Sequence, residues 1–331
     1  LAHRSLQDCG LLPHCTRRIA APAAFPAAHR RVLLLPSAPA SRKLKQKQEP
    51  REDDMSRALS VYHGRFGRAT LYELNRPMTT HAHREGHLTF YVGGGDATVS
   101  VLGNPNPLTA HSGVAINPWE PHAFMPSDGR AGGVYLVLYI DRSWFQTMGR
   151  GGHLPLHFGR SQIEVTPSIG AAVDEAVRLL ENYDTAENFD GTLFELTDAC
   201  FEQSWGLAGG WQRYTGPAAS FIDFRVRKSI VLMSEQLGSD IELDAVARDA
   251  GLSRPHFYKL FRRQTGVTPN IYLNTLRMEK AVQRLGQTSQ SVTEIGNELG
   301  FSCQSVFTRF FSSHVGMAPT DYRRAVQVLN G

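Results

Sequence analysis

Two groups of side chains in this 331-residue sequence have the types and spacing for chemistry. The first is a set of imidazoles. His81, His83 and His87 lie close together, and His122 follows later, just after Pro118 and Pro121. Neutral imidazole nitrogens are ligands for zinc, copper, nickel or iron. Alternate residues of a strand face one side, so His81, His83 and His87 are expected to point into a common interior, with Glu85 nearby. The second group is basic and amide-bearing. One stretch holds Arg254, Pro255, Tyr258, Lys259 and Arg262; another holds Gln304, Ser305, Thr308, Arg309 and Ser312. Arg and Lys bond the acceptor edge of guanine, Gln matches adenine, and hydroxyls adapt to several bases.

An internal repeat positions the second group. Leu243, Val246, Ala247 and Ala250 follow i, i+3, i+4, i+7 and end at Gly251; Val292, Ile295, Gly296 and Leu299 do the same and end at Gly300. Each is the apolar face of a two-turn helix stopped by a glycine that tolerates positive φ. A second helix follows each glycine. One opens at Leu252-Ser253, with Ser253 as its cap, and buries Phe257, Leu260 and Phe261. The other opens at Phe301-Ser302 and buries Phe307, Phe310 and Phe311. Gly266, Pro269 and Tyr272 recur as Gly316, Pro319 and Tyr322, and the second turn is one residue longer than the first. Short helix, glycine turn and capped helix make a helix-turn-helix, here in tandem. The outer faces of the second helices carry the basic and amide groups. A helix over 269–285, with Ile271, Met278 and Leu285 inside, would hold the two motifs about 25 Å apart, near the ~34 Å repeat of one groove face. A helix over 224–237 precedes them, with Val226, Ile230, Met233 and Leu237 inside; its Arg225, Arg227 and Lys228 suit phosphate contacts or a solvated face. Residues 224–331 hold 14 Lys and Arg against 9 Asp and Glu, whereas residues 55–223 hold 11 against 17. A basic C-terminal region behind an acidic middle fits a polyanion-binding domain joined to a domain with another task.

These C-terminal residues, from Gly251-Leu252-Ser253 through Phe257, Phe261, Gly266, Pro269, Tyr272 and Arg277, then Gly300-Phe301, Phe307, Phe311, Gly316, Pro319 and Tyr322-Arg323, resemble the AraC/XylS family of transcription regulators. The resemblance implies seven helices and two recognition helices in successive major grooves of promoter DNA. It also implies transcription regulation, with RNA polymerase as a partner. Three residues depart from the family pattern: Glu242 replaces a Ser or Thr cap, Pro255 sits in the first turn of a recognition helix, and Gly296 replaces an Ala. The less basic second face predicts unequal halves. Lys259 and Arg262 would lean on phosphates, and Gln304 and Arg309 on bases.

Within the acidic middle, residues 61–140 read as β. The runs 87–92, 97–102, 113–116 and 133–140 are β-branched and aromatic, with turns expected at 93–96 and 104–107. His81-x-His83-x-x-x-His87 and Pro118-x-x-Pro121-His122 resemble the two cupin motifs, with His87 where a Glu is usual. That resemblance implies a small barrel in which these histidines hold a divalent metal or an organic effector. Phe90, Tyr91, Trp119, Phe124 and Tyr135 are the expected pocket walls. Residues 166–207 return to helix, with Ile169, Val173, Ala176 and Leu180 on one face and Leu193, Leu196, Cys200 and Phe201 on another. These faces would form a dimer interface, by resemblance, or pack on the barrel.

The expected fold class is therefore α+β: a cupin-like β-barrel with dimerisation helices, then an all-α domain of two helix-turn-helix motifs. The expected boundaries are 1–54, a disordered or mis-annotated upstream extension whose first Met is Met55; 55–160, an effector-sensing domain; 161–208, helical; 209–222, a linker; and 223–331, the DNA-binding domain. Cys9, Cys15, Cys200 and Cys303 are scattered without a CxxC pair, which fits a cytoplasmic protein without a disulfide framework, and no apolar run suits a membrane. The expected function is a homodimeric, effector-responsive regulator and not an enzyme. The alternative is a metal-dependent cupin enzyme, or a metal sensor, tethered to a DNA-binding domain; a constitutive architectural binder is a third reading.

Overall fold

The computed structural model describes residues 56–127, 132–148, 156–182, 189–206, 222–238 and 241–330. The expected N-terminal extension and nearly all of the expected linker lie outside the described residues. The β-rich region comprises β1 (Arg57–Gly64), β2 (Gly67–Leu74), β3 (Gly86–Gly94), β4 (Ala97–Val101), β5 (Asn104–Leu108), β6 (Ser112–Ile116), β7 (His122–Pro126), β8 (Gly133–Ile140) and β9 (Gln162–Glu164). The ladders form two antiparallel sheets rather than one continuous closed barrel: a large one in the order β1-β2-β8-β3-β6-β9 and a small one in the order β5-β4-β7.

Strand β8 shows why this sequence makes a two-faced sheet. Its Tyr135 and Val137 join Tyr72, Val99 and Phe124 in an interior shared by both sheets. Its Leu136, Leu138 and Ile140 point the other way, under α1 (Arg142–Met148), α2 (Pro167–Glu181) and α3 (Phe189–Ser204). Alternation along a strand buried on both faces gives this near-continuous apolar run. The apolar faces of α2 and α3 predicted from sequence, including Ile169, Val173, Leu193, Leu196, Cys200 and Phe201, are buried in that same core. Any contact of these helices with a second copy would therefore use their other faces.

One expected turn is a strand. Asn104–Leu108 pairs only with β4, at the edge of the small sheet. Pro105 and Pro107 are tolerated there because an edge strand has N–H groups that need no ladder partner.

Among the described residues seven helices follow: α4 (Phe224–Glu235), α5 (Leu243–Asp249), α6 (Arg254–Thr265), α7 (Pro269–Gln287), α8 (Val292–Glu298), α9 (Gln304–Val315) and α10 (Pro319–Asn330). Helix α7 belongs to both halves. Its Leu273 and Leu276 pack with Val226, Val246, Phe257 and Phe261 of the first motif. Its Met278, Ala281 and Leu285 pack with Ile295, Phe307, Phe311 and Tyr322 of the second. Thr268 caps α7 by accepting from the Ile271 amide at 3.3 Å.

Several helix ends differ from expectation. Ser253 occupies the N-cap of α6 but its side chain makes no capping bond, and α9 is preceded by Cys303 rather than opening at Phe301-Ser302. Glu242 likewise caps nothing with its side chain. Ser291 caps α8 through a reciprocal box with Glu294. Gly296 has a packing reason: a Cβ there would lie 3.0 Å from the Phe307 Cβ, so glycine lets α8 approach α9.

Gly266 ends α6 at φ 83, with open space where a Cβ would sit. Only the left-handed backbone then opposes substitution. Gly266→Ala is expected to cost about 1–2 kcal/mol and to lower the thermal midpoint by several degrees. An unchanged midpoint would contradict this account of the helix stop.

Candidate nucleic-acid interface and histidine cluster

Helix α6 turns Phe257, Leu260 and Phe261 inward. At 3.6 residues per turn the centre of its outer arc is then Pro255, Lys259 and Arg262, all exposed. Arg254 and half-buried Tyr258 form one flank; Arg254 pairs with Asp244 at 3.2 Å. The other flank is His256 and Arg263, exposed residues that the sequence reading passed over. Helix α9 repeats the geometry. Phe307, Phe311 and Val315 are buried, and Ser305, Arg309 and half-buried Ser312 centre the outer arc, flanked by Gln304 and Thr308. Gln304 Oε1 accepts from Thr293 Oγ1 at 2.7 Å, which fixes the amide so that its NH₂ faces outward from that bond. Phe310, expected in the core, is only half-buried and stacks beside Phe301 and His314. Lys259 and Arg309 thus occupy the same place in the two copies, one cation at the middle of each arc. Of the basic residues on α4, Arg225 is bound by Asp223 at 2.7 Å and Lys228 donates to the Asp249 carbonyl at 2.5 Å, so both are already engaged within the fold.

The four predicted histidines do come together, though not on a single strand. His81 bridges to His122 at the start of β7, His83 lies in the connection, and His87 is on β3. The ring of His122 lies 4.4 Å from that of His81, 4.5 Å from His87 and 5.2 Å from His83. One nitrogen from each of His81, His83 and His122 lies within 4.8 Å of the others. His81 Nδ1 sits 2.6 Å from the Thr79 carbonyl, and His122 Nδ1 2.8 Å from the Glu120 carbonyl. A carbonyl can only accept, so both Nδ1 atoms carry the proton and both Nε2 atoms keep a lone pair. That orientation by an outer carbonyl is what a ligating imidazole requires. Burial holds all four histidines neutral, His87 down to about 3, and the neighbouring imidazoles reinforce the shift. His87 Nδ1 is buried without a hydrogen-bond partner. Glu85 is not part of this set.

The space beside these rings is about 40 Å³. It is lined by the four histidines with Tyr72, Phe124, Val137 and Tyr139. Organic ligands occupy roughly 300–1,000 Å³, whereas a water takes about 30 Å³. The interior therefore suits an ion with a water, and the expected organic pocket is not there. Of its five predicted walls only Phe124 faces the histidines. Phe90 points into the opposite core, Tyr91 and Tyr135 hydroxyls donate to the Gly94 and Gly95 carbonyls, and Trp119 leaves the region altogether.

Trp119 instead stacks on Tyr272 of α7, with ring centroids 4.6 Å apart and planes within 4°. Its backbone has φ 65, the left-handed region that a bulky side chain rarely adopts. The corresponding tyrosine of the second motif, Tyr322, accepts from Arg68 Nη1 of β2 at 3.1 Å. Two further contacts join the regions: Thr275 Oγ1 donates to the Ala82 carbonyl at 3.0 Å, and Thr79 donates through both N and Oγ1 to the Ser313 carbonyl of α9, at 2.9 and 3.0 Å. The β-rich region thus grips each motif at the equivalent tyrosine. Nothing local in the sequence announces these contacts.

A family model described as a helix-turn-helix domain matches residues 246–325, spanning both motifs from α5 to α10. The MmsAB operon regulatory protein of Pseudomonas aeruginosa is 35% identical over 95 residues, 29% of this chain and 31% of its own. The HTH-type transcriptional activator RhaS of Escherichia coli is 33% identical over 100 residues, 30% of this chain and 36% of its own. The C-terminal region is an AraC-type helix-turn-helix domain. The chain spans about a third of the length of these curated relatives. Over most of its length it is similar to ToxT of Vibrio cholerae in its unsaturated-fatty-acid-bound form: 14% identity, 81% of this chain, 96% of that one, TM-score 0.50. That likeness extends the shared fold from the AraC-type domain to the β-rich region before it. Among the described residues no helix is long and apolar enough to cross a membrane.

Proposed function

We propose that the chain is an effector-responsive transcription regulator that binds promoter DNA in two successive major grooves through α6 and α9. The observation that carries this reading is the matched pair of outer arcs, each centred on one cation and both built on the 19-residue α7. Arg254, Pro255, Tyr258, Lys259 and Arg262 would read or position one half-site, and Gln304, Ser305, Thr308 and Arg309 the other. The β-rich region acts as a sensor because it contacts both motifs. By analogy with ToxT, which has been solved with a fatty acid bound, a small molecule shifts the balance between docked and free motifs. A homodimer, contact with RNA polymerase and a cytoplasmic location complete the reading; the matched relatives are regulators, and binding rather than catalysis is the task. Selection of the full chain against a random duplex library tests it. Enriched sequences should show two half-sites about one helical turn apart. No enrichment over a bulk duplex would overturn the assignment.

The histidine set favours a second element of the same reading. Nε2 of His81 and His122, with a nitrogen of His83 and with His87 beside them, would hold a divalent ion such as zinc, leaving a position for water. Such an ion would supply structural cross-linking and a Lewis-acid centre. Zinc titrated into metal-free protein purified without an affinity tag should bind at one equivalent and raise the thermal midpoint. His83→Ala should weaken that binding at least ten-fold, in line with loss of one ligand. Equal zinc affinity in the variant, or no zinc binding by the parent, would remove the metal assignment.

A further inference from the structure

The two recognition helices end differently, and the difference falls on their outer arcs. The offset of 50 that relates Phe257, Phe261 and Gly266 to Phe307, Phe311 and Gly316 also sets Arg262 and Arg263 against Ser312 and Ser313. Helix α6 thus finishes its arc on two exposed cations, and α9 on two half-buried hydroxyls. The surroundings differ as well. A Cβ on Gly266 would meet nothing within 4 Å, so the end of α6 stands open. A Cβ on Gly316 would lie 3.0 Å from Leu74 Cδ2 and 3.2 Å from Met78 Cε, because a segment of the β-rich region closes on the end of α9. That segment is pinned by its backbone. Met78 donates its N–H to the Phe124 carbonyl at 3.0 Å, Thr79 donates to the Ser313 carbonyl, and His81 bridges to His122.

Arg76 and Pro77 of this segment share a cleft of about 330 Å³ with Ser312, Ser313 and Gly316. At 3.6 residues per turn these last three lie on the outer arc of α9, about one turn past Arg309. Arg76 is exposed there, and among the described residues it pairs with no carboxylate. A cation is therefore held by the β-rich region where the second arc lacks the two that the first arc owns.

We propose that Arg76 belongs to the DNA interface: the β-rich region lends it to the second motif as a contact to the phosphate backbone, in the place that Arg262 and Arg263 fill in the first. The inference rests on the regulator reading and adds to it a DNA-facing surface outside the helix-turn-helix domain. A duplex seated on α9 carries its phosphates past the end of the helix, and a guanidinium meets a phosphate through paired N–H bonds. Such a contact fixes position and reads no base. It also gives docking a direct effect, because a second motif released from the β-rich region has lost this cation.

The test uses the full chain and its selected duplex over a series of salt concentrations. Arg76→Ala should weaken binding roughly eight-fold at about 0.1 M salt and lower the slope of log affinity against log salt by about 0.9. Arg65→Ala removes the same charge from a side chain that faces Asp190 at 3.6 Å, and should leave both values unchanged. Ser312→Arg, placed in the Arg76→Ala chain, should restore the slope. Methylphosphonate substitution along the duplex locates the contact. One neutralised phosphate beside the second half-site should weaken the parent and leave Arg76→Ala indifferent. Parent-like affinity and slope in Arg76→Ala, tighter binding by it, or an equal loss in Arg65→Ala overturns the contact. Parent protein that binds no selected duplex overturns the regulator reading instead.

Discussion

Lys259→Ala and Arg309→Ala are each expected to weaken binding to the selected duplex by about 1–3 kcal/mol, a factor of roughly ten to a hundred. Both side chains are exposed and centre the outer arc of their helix, and their positions correspond across the repeat. Among the described residues no hydrogen bond or ion pair uses them, so the folded state should be unaffected. The two losses should add in the double variant, because α7 at ~1.5 Å per residue keeps the arcs well beyond coupling distance. The halves should still differ in kind. Lys259 has Arg262 and Arg263 beside it, a cluster suited to phosphates. Its removal should weaken all duplexes alike and reduce the salt slope by about one charge. Arg309 stands among Gln304, Ser305 and Thr308, so its removal should relax sequence preference at one position of the half-site. Parent-like affinity in both variants in a shift assay at fixed salt would remove these residues from the interface.

Phe311→Ala should cost about 3–5 kcal/mol, and Phe261→Ala, its counterpart in the first motif, a similar amount. Each ring is fully buried, the first against Phe307 and Tyr322, the second against Phe257 and Tyr272. A domain of this size holds roughly 5–15 kcal/mol in total, so either change removes a large share. The Phe311 cluster also contains Tyr72, Val99 and Phe124 of the β-rich region. Denaturant unfolding of the Phe311→Ala chain should therefore show the β-rich region destabilised with the second motif in one transition. A loss below 1 kcal/mol, or a β-rich transition that does not move, would contradict this shared core.

How much was legible follows from how local each signal is. The tandem motif was readable because helical apolar spacing and glycine stops need only neighbours in sequence. The turn of greater length after Gly300 was also visible, as was the grouping of the histidines. Strands β1 and β2 fall largely within the expected β region but have no legible limits, because Arg57, Arg68 and Glu73 interrupt their apolar pattern; those residues find partners across the sheet or in α10. Strand β5 was hidden by its two prolines, which only an edge position permits. The docking of the β-rich region was illegible for a different reason. Arg68 meets Tyr322 across 254 residues and Ala82 meets Thr275 across 193, single contacts that leave no periodic trace. The size of the histidine interior was equally invisible, since residue types say which groups line a space but not how far apart their backbones hold them.

Trp119 has an optical consequence. A left-handed backbone at a bulky residue costs about 1–2 kcal/mol, and here the flat stack on Tyr272 offsets it. When α7 moves away, the indole loses its neighbour and the backbone is free to relax. The protein thus carries its own fluorophore at the joint between its two regions. Emission from Trp119, isolated by comparison with a Trp119→Phe chain, should change in step with release of the first motif and report that motion without any added label.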